Sequence, residues 1–147
     1  MKKIFDEVRS LDKRAIEKFH LTEDILMEHA SLGLKNYITK KFKKNSSILI
    51  VCGSGNNGAD GISLARLLQN KFKVSLYLVN EPKTEIGKLQ LKRAKSINVN
   101  FVNQIFQADV VVDCLFGTGL NKELNEDSLF LINSLNNLNS FKIACDI

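Results

Sequence analysis

The sequence predicts an α/β fold: a doubly wound parallel sheet in three layers, α/β/α, preceded by N-terminal helices. Three observations carry that prediction. Short apolar runs rich in β-branched residues alternate with longer segments of helical periodicity, the rhythm of strands joined by helical crossovers. Two of those runs, Ile48–Cys52 and Asp109–Asp113, break into glycine-rich turns. The composition is that of one globular domain: 147 residues, 44% hydrophobic, 25% charged, one proline and eight glycines. Neither low complexity nor an internal repeat interrupts it.

The elements follow in order. Ser10 reads as the N-cap of a first helix running to Phe19. Thr22, with Glu23 and Asp24 behind it, starts a second helix. Its stripe of Leu26, Ala30, Leu34, Tyr37 and Ile38 is expected in the core. Ile48–Cys52 has the length and branching of a buried strand. Beyond the turn Gly53–Gly61, Ile62, Leu64, Ala65, Leu67 and Leu68 recur at helical spacing. Val74–Val79 is a second strand, ended by Asn80-Glu81-Pro82; Thr84–Lys95 is helical, and a weak third strand falls near Val99–Val102. Asp109–Asp113 is a fourth strand leading into the turn Phe116–Gly119. A helix through Leu129, Ile132 and Leu135 precedes a fifth strand, Lys142–Asp146. Parallel strands require right-handed crossovers, with helices covering both faces.

Gly53-Ser54-Gly55-Asn56-Asn57-Gly58 fits the G-x-G-x-x-G dinucleotide fingerprint in its strand-to-helix context, which makes the fold Rossmann-like. Glu81, 23 residues after Gly58, lies near where an acidic residue meets a ribose. A nicotinamide-dependent dehydrogenase is therefore one reading. Asn56, Asn57 and Asp60 exceed what cradling a pyrophosphate needs; the plainer account is that such residues suit positive-φ turns and helix caps. In an open parallel sheet, ligands bind beyond the carboxyl ends of the strands, where strand order reverses. If the first and fourth strands are neighbours, the Asn56–Gly61 turn, the Asp113–Gly119 turn and Asp146 share one rim. Asp113 ends an apolar Val-Val-Val run, where a buried carboxylate needs a cation or N–H donors beside it. A polar strand end or cap is the bland reading of the same residue.

Charge and cysteine usage exclude other classes. The net charge of +5 is spread along the chain, and its one cluster, Lys40-Lys41-Lys43-Lys44, closes a helix, where cations suit the dipole. No nucleic-acid partner is expected. Cys52, Cys114 and Cys145 form no CxxC pair and read as buried reduced thiols. His20 and His29 are too isolated for a metal site. No signal peptide or membrane-length span is evident, so a cytoplasmic protein without membrane association is expected.

Asn56-Asn57-Gly58-Ala59-Asp60-Gly61 resembles the N-N-G-G-D-G signature of the NAD(P)H-hydrate epimerases, the YjeF N-terminal domain family. Leu11-Asp12-Lys13-Arg14-Ala15-Ile16 resembles that family's opening L-D-x-x-A-I. Leu26-Met27-Glu28-His29-Ala30 resembles its L-M-E-N-A, and Val111 to Leu120 its V-V-D-A-L-F-G-T-G-L. The resemblance spans residues 1–147 as one such domain and implies an isomerase of nicotinamide nucleotide repair, interconverting the R and S epimers of NADHX and NADPHX. It implies substrate contacts from Asn56, Asn57, Gly58, Ala59 and Asp60 and from Gly117, Thr118, Gly119, Leu120, Asn121, Lys122 and Glu123. A potassium ion on Asn57 and Asp113 is implied as cofactor; oxygen ligands suit a hard monovalent cation. Asp146 resembles the aspartate of V-D-x-P-S-G and would be both a substrate contact and the catalytic general acid/base, its carboxyl raised by an apolar strand environment. Expected partners are a fused nucleotide-dependent NAD(P)H-hydrate dehydratase domain and, for assembly, a homodimer.

Four departures from the family pattern stand out. Ala59 occupies a glycine position, where its methyl would narrow the approach to phosphate. Lys122-Glu123 replaces arginine-proline, and His29 replaces asparagine, within reach of the ligand pocket. The sequence stops at Asp146-Ile147, before P-S-G, whose serine is a further potassium ligand, so the domain is expected to be C-terminally incomplete. Beside the epimerase stand two alternatives: an NAD-binding dehydrogenase fragment, and a non-catalytic interaction module of the same fold. Tyr37 and Tyr77 supply no Tyr-x-x-x-Lys for the former. Retention of Asn57, Asp60, Asp113 and Asp146 argues against the latter.

Overall fold

The computed structural model describes residues 9–121 and 123–146, with the side chain of Arg9 left aside. Five parallel strands stand in the order β3-β2-β1-β4-β5: β1 is Ser47–Cys52, β2 Lys73–Leu78, β3 Phe101–Val102, β4 Val110–Cys114 and β5 Phe141–Ala144. The helices are α1 Arg9–Phe19, α2 Glu23–Lys41, α3 Asn56–Leu68, α4 Glu85–Ser96 and α5 Glu126–Asn137. The α/β fold expected from the alternation is the one observed.

Strand alternation builds two cores. Ile48, Ile50 and Cys52 of β1 join Val110, Val112 and Cys114 of β4 beneath α3, with Ile38 of α2 and Leu91 of α4 alongside. On the other face Leu49, Val51 and Val111 meet Leu135 of α5. With β1 buried on both faces, its apolar content has no solvent side, as a central parallel strand requires. The central pairing sets Ile48 opposite Val110 and Cys52 opposite Cys114. Strand order therefore reverses between β1 and β4, which places a crevice at their carboxyl ends.

Several boundaries differ from expectation for physical reasons. Helix α1 already includes Ser10, so Ser10 is not its N-cap. Thr22 does cap α2, its Oγ1 accepting from the Ile25 N–H at 3.4 Å. The buried stripe of α2 is Met27, Ser31 and Ile38, with Tyr37 exposed and Ala30 at the surface. Packing on α3 sets that face: the Ser31 hydroxyl donates to the Asp60 carbonyl at 3.1 Å. An ion-pair network fixes the same side, with Arg93 of α4 gripping Asp24 of α2 through both oxygens at 2.6 and 2.8 Å. Strand β5 ends at Ala144, two residues before Asp146.

Candidate functional site

The turn after β1 is shorter than its glycine content suggests. Only Gly53, Ser54 and Gly55 separate β1 from α3, and Asn56–Gly61 form the opening turns of that helix. The Ala59 N–H already donates to the Gly55 carbonyl at 3.1 Å, so the helical ladder is in place from there. Asn56, Asn57 and Asp60 all have negative φ inside α3, which removes the account of them as positive-φ turn residues, and no glycine among the described residues has positive φ either. Close approach explains the glycines instead. A Cβ on Gly53 would stand 2.1 Å from the Leu115 carbonyl oxygen, and one on Gly58 would stand 1.9 Å from that of Gly53.

Gly55 caps α3 without a side-chain hydrogen bond, whereas Thr22, Thr84 and Asn125 cap α2, α4 and α5 through their oxygens. The leading amides of an α-helix have no partner within the helix. Those of α3 open onto a cavity of about 640 Å³ at the switch point. Gly53, Gly55, Asn56, Asn57 and Asp60 form one wall; Gly117, Gly119, Leu120 and Asn121 form another, with Asp146 between them. Convergence is tight: a Cβ on Gly117 would lie 2.5 Å from Asp146 Oδ2 and 3.3 Å from Asn57 Cβ. Asp146 Oδ2 accepts from the Thr118 N–H at 3.0 Å, and Asn57 Nδ2 donates to the Phe116 carbonyl at 2.7 Å. The three-part rim read from the sequence is assembled.

Other expected site residues fall elsewhere. Gly58 and Ala59 lie on the buried side of α3, and the Ala59 methyl packs with Met27 and Ile86 rather than narrowing the cavity. Thr118 and Glu123 are not among the cavity-lining residues, and Lys122 lies outside the described residues. His29 is exposed and lines no part of the cavity. Asp113 is half-buried, and its Oδ1 accepts from the Leu115 N–H at 2.9 Å, the turn-capping role of the bland reading. Walls that the sequence did not signal come from Val79, Asn80 and Thr84 beyond β2 and from Ser128 and Leu131 of α5. They belong to separate elements, and only the sheet order brings them together.

The carboxyl with raised proton affinity is Asp60. Asp146 is exposed, beyond the end of β5, so the apolar strand environment expected around it is absent. Burial pushes the Asp60 carboxyl up to about 7, and negative charge on Asp146, Asp12 and Glu23 adds to the effect. Nearby, Cys145 is raised by its hydrogen bond to Cys114 and by burial. Cys114 is raised as well: its hydrogen bond with Cys145 lowers it, but the bond with Cys52 and burial outweigh that. Such thiols stay protonated and weakly reactive. Among the described residues no three His, Cys, Asp or Glu side chains gather as a metal site. Asn57 Oδ1 is buried with no hydrogen-bond partner among the described residues, and an amide oxygen of this kind suits a hard cation better than a soft one.

The fold and its crevice define a Rossmann-like α/β domain with an anion-ready helix terminus at the switch point. The model of the family described as YjeF-related protein N-terminus matches residues 23–147, and the chain belongs to that family. It is 38% identical to the bifunctional NAD(P)H-hydrate repair enzyme Nnr of Helicobacter pylori, covering 100% of this chain and 33% of that protein. Identity to the NAD(P)H-hydrate epimerase of Levilactobacillus brevis is 31%, covering 96% of this chain and 68% of that enzyme. The chain thus spans about a third of the length of the bifunctional relatives. The crystal structure of the yeast protein ynu0 superposes with a TM-score of 0.80 at 20% identity, covering 94% of this chain and 66% of that one, which supports the fold. No described helix is long and apolar enough to cross a membrane.

Proposed function

We propose that this chain is the epimerase part of a nicotinamide nucleotide repair enzyme and interconverts the R and S epimers of NADHX or NADPHX. The observation that carries the reading is the single cavity shared by the uncapped α3 terminus, the Gly117 loop and Asp146. Phosphates of the dinucleotide lie against the amides of Asn56 and Asn57 and the turn Gly53–Gly55, where the helix dipole favours anions. The Gly117–Asn121 loop closes over the ligand from the β4 side. The Thr118 amide donates to Asp146 Oδ2 at 3.0 Å and so fixes the carboxylate at the cavity wall. Asp146 then exchanges the proton that accompanies departure and return of the hydroxyl at C6 of the hydrated ring.

The orphaned Asn57 Oδ1 and the Asp113 carboxylate are the oxygens that fit potassium. Bound there, the ion supplies positive charge that steadies the phosphates and the carboxylates around them. A dehydratase acting on the S epimer, fused or separate, consumes the product.

The test is conversion of pure (R)-NADHX by the intact protein, followed by chiral chromatography. The wild type interconverts the epimers. Asp146→Asn should lose at least about 100-fold in turnover while binding ligand within about threefold of wild type. Unchanged turnover in Asp146→Asn would remove Asp146 from the chemistry. No conversion by the wild type, together with tight binding of intact NAD, would favour a dehydrogenase.

A further inference from the structure

Two of the segments that carry the family resemblance, Leu11–Ile16 and Leu26–Ala30, contribute nothing to the main cavity. They meet around a second cavity of about 260 Å³ between α1, α2 and the start of α3. Ile16, Leu26, Met27 and Ala30 give it an apolar side, with Met27 buried; Asp12, Glu23 and Asp60 give it an acidic side. Asn56 and Asp60 line both cavities, so they form a partition with a ligand space on either side. The partition is held in place: Asn56 Nδ2 donates to Glu23 Oε1 at 2.8 Å, and the Ser31 hydroxyl holds the Asp60 carbonyl at 3.1 Å.

Resting on the epimerase reading, we propose that the ligand site continues past Asn56 and Asp60 into this second chamber, which takes an uncharged ring bearing an exocyclic amide or amino group. Three properties select that chemistry. The acidic side chains repel phosphate, which has the helix terminus on the other side of the partition. Carboxylates accept hydrogen bonds from N–H₂ groups, and the apolar side chains give the face of a ring a surface to lie against. The volume holds one ring and not a whole dinucleotide. With its raised proton affinity, Asp60 presents both an acceptor and a donor form near neutral pH, matching both ends of a carboxamide.

A hydrated nicotinamide dinucleotide carries two such rings, the nicotinamide with its carboxamide and the adenine with its amino group. Ala30→Leu adds bulk to the chamber at a surface position and leaves the main cavity untouched. Binding of NADHX, ADP-ribose and the reduced, hydrated form of nicotinamide mononucleotide, whose ring is uncharged like that of NADHX, to the intact protein is measured by calorimetry, with melting temperature as the folding control. Ala30→Ser, close to the native volume, should bind all three like the wild type. If the nicotinamide enters the chamber, Ala30→Leu weakens NADHX and the mononucleotide at least tenfold and leaves ADP-ribose unchanged. If the adenine enters, NADHX and ADP-ribose weaken and the mononucleotide does not. Either pattern supports the chamber and names the ring. Wild-type affinities for all three ligands in a folded Ala30→Leu variant overturn it. A wild type that binds none of the three overturns the epimerase reading itself.

Discussion

The two glycine turns at the rim look alike in sequence and are built on different principles. The β1–α3 junction is three residues long, and two glycines in and just beyond it are walled by backbone: Gly53 by the Leu115 carbonyl, and Gly58 in the first turn of α3 by the Gly53 carbonyl. The β4–α5 connection runs from Leu115 to Asn125, and its Gly117 is walled by the Asp146 carboxylate, a side chain. Backbone cannot yield without moving β1 and β4, the centre of both cores. A carboxylate can rotate. One junction is thus fixed by backbone, and the other is a loop whose shape depends on the side chain packed against it.

That contrast can be broken by adding one methyl at a time. Gly58→Ala should destabilise most, by about 3 kcal/mol, because the new Cβ meets a carbonyl oxygen that no rotamer can clear. Urea unfolding measures it, and a loss below about 1 kcal/mol would mean that the junction is not rigid. The same junction carries a pH signature. Asp60 ionises near the ordinary carboxylate range in the unfolded chain and near 7 in the folded one. Between those values the folded state keeps a proton that the unfolded state has released, so stability falls as pH rises toward 7. Asp60→Asn removes that slope, and its stability relative to wild type should rise by about 1–2 kcal/mol between pH 5 and pH 8 in potassium-free buffer. An equal difference at both pH values would show that Asp60 is not withdrawn from water.

Gly117→Ala should act on function rather than folding. It displaces Asp146, so KM rises about fivefold and turnover falls with it, while the melting temperature moves by less than about 2 °C. A melting loss as large as that of Gly58→Ala would erase the distinction between the two turns. The smallest effect belongs to Gly55→Ala, which has open space around its Cβ and an extended φ of −93°. Its stability should stay within about 0.5 kcal/mol of wild type, although the methyl points where ligand phosphates would sit. Weaker ADP-ribose binding with unchanged unfolding is the expected pair of results.

The strands were legible because β1, β2 and β4 are short apolar runs bounded by polar or glycine residues, and period and length suffice for such elements. Thr22 and Thr84 could be read as helix starts because capping is local chemistry. The start of α3 was not legible: Asn56, Asn57 and Gly58 have poor helix propensity, and burial against β1 and β4 overrides it. The stripe of α2 was legible in part: Ile38 is buried and Leu34 packs on the core as expected, but packing on α3 buries Met27 and Ser31 and leaves Ala30 and Tyr37 exposed. At the site, Asn57, Gly117 and Asp146 were identified from motif and strand ends together. The role of Asp60 as the burial-raised carboxyl depends on neighbours from α1, α2 and the end of β5, which no local pattern in α3 records.

The bare opening of α3 has one more consequence. Amide hydrogens at the first positions of a helix are not held by the helix itself, and here no cap side chain shelters them. In the ligand-free protein those of Asn56 and Asn57 should exchange with solvent deuterium far sooner than those of Leu64 or Ala65 in the same helix. An anion seated on them would close that gap. The protein therefore carries its own occupancy gauge, readable by exchange at two backbone positions without label, chromophore or turnover.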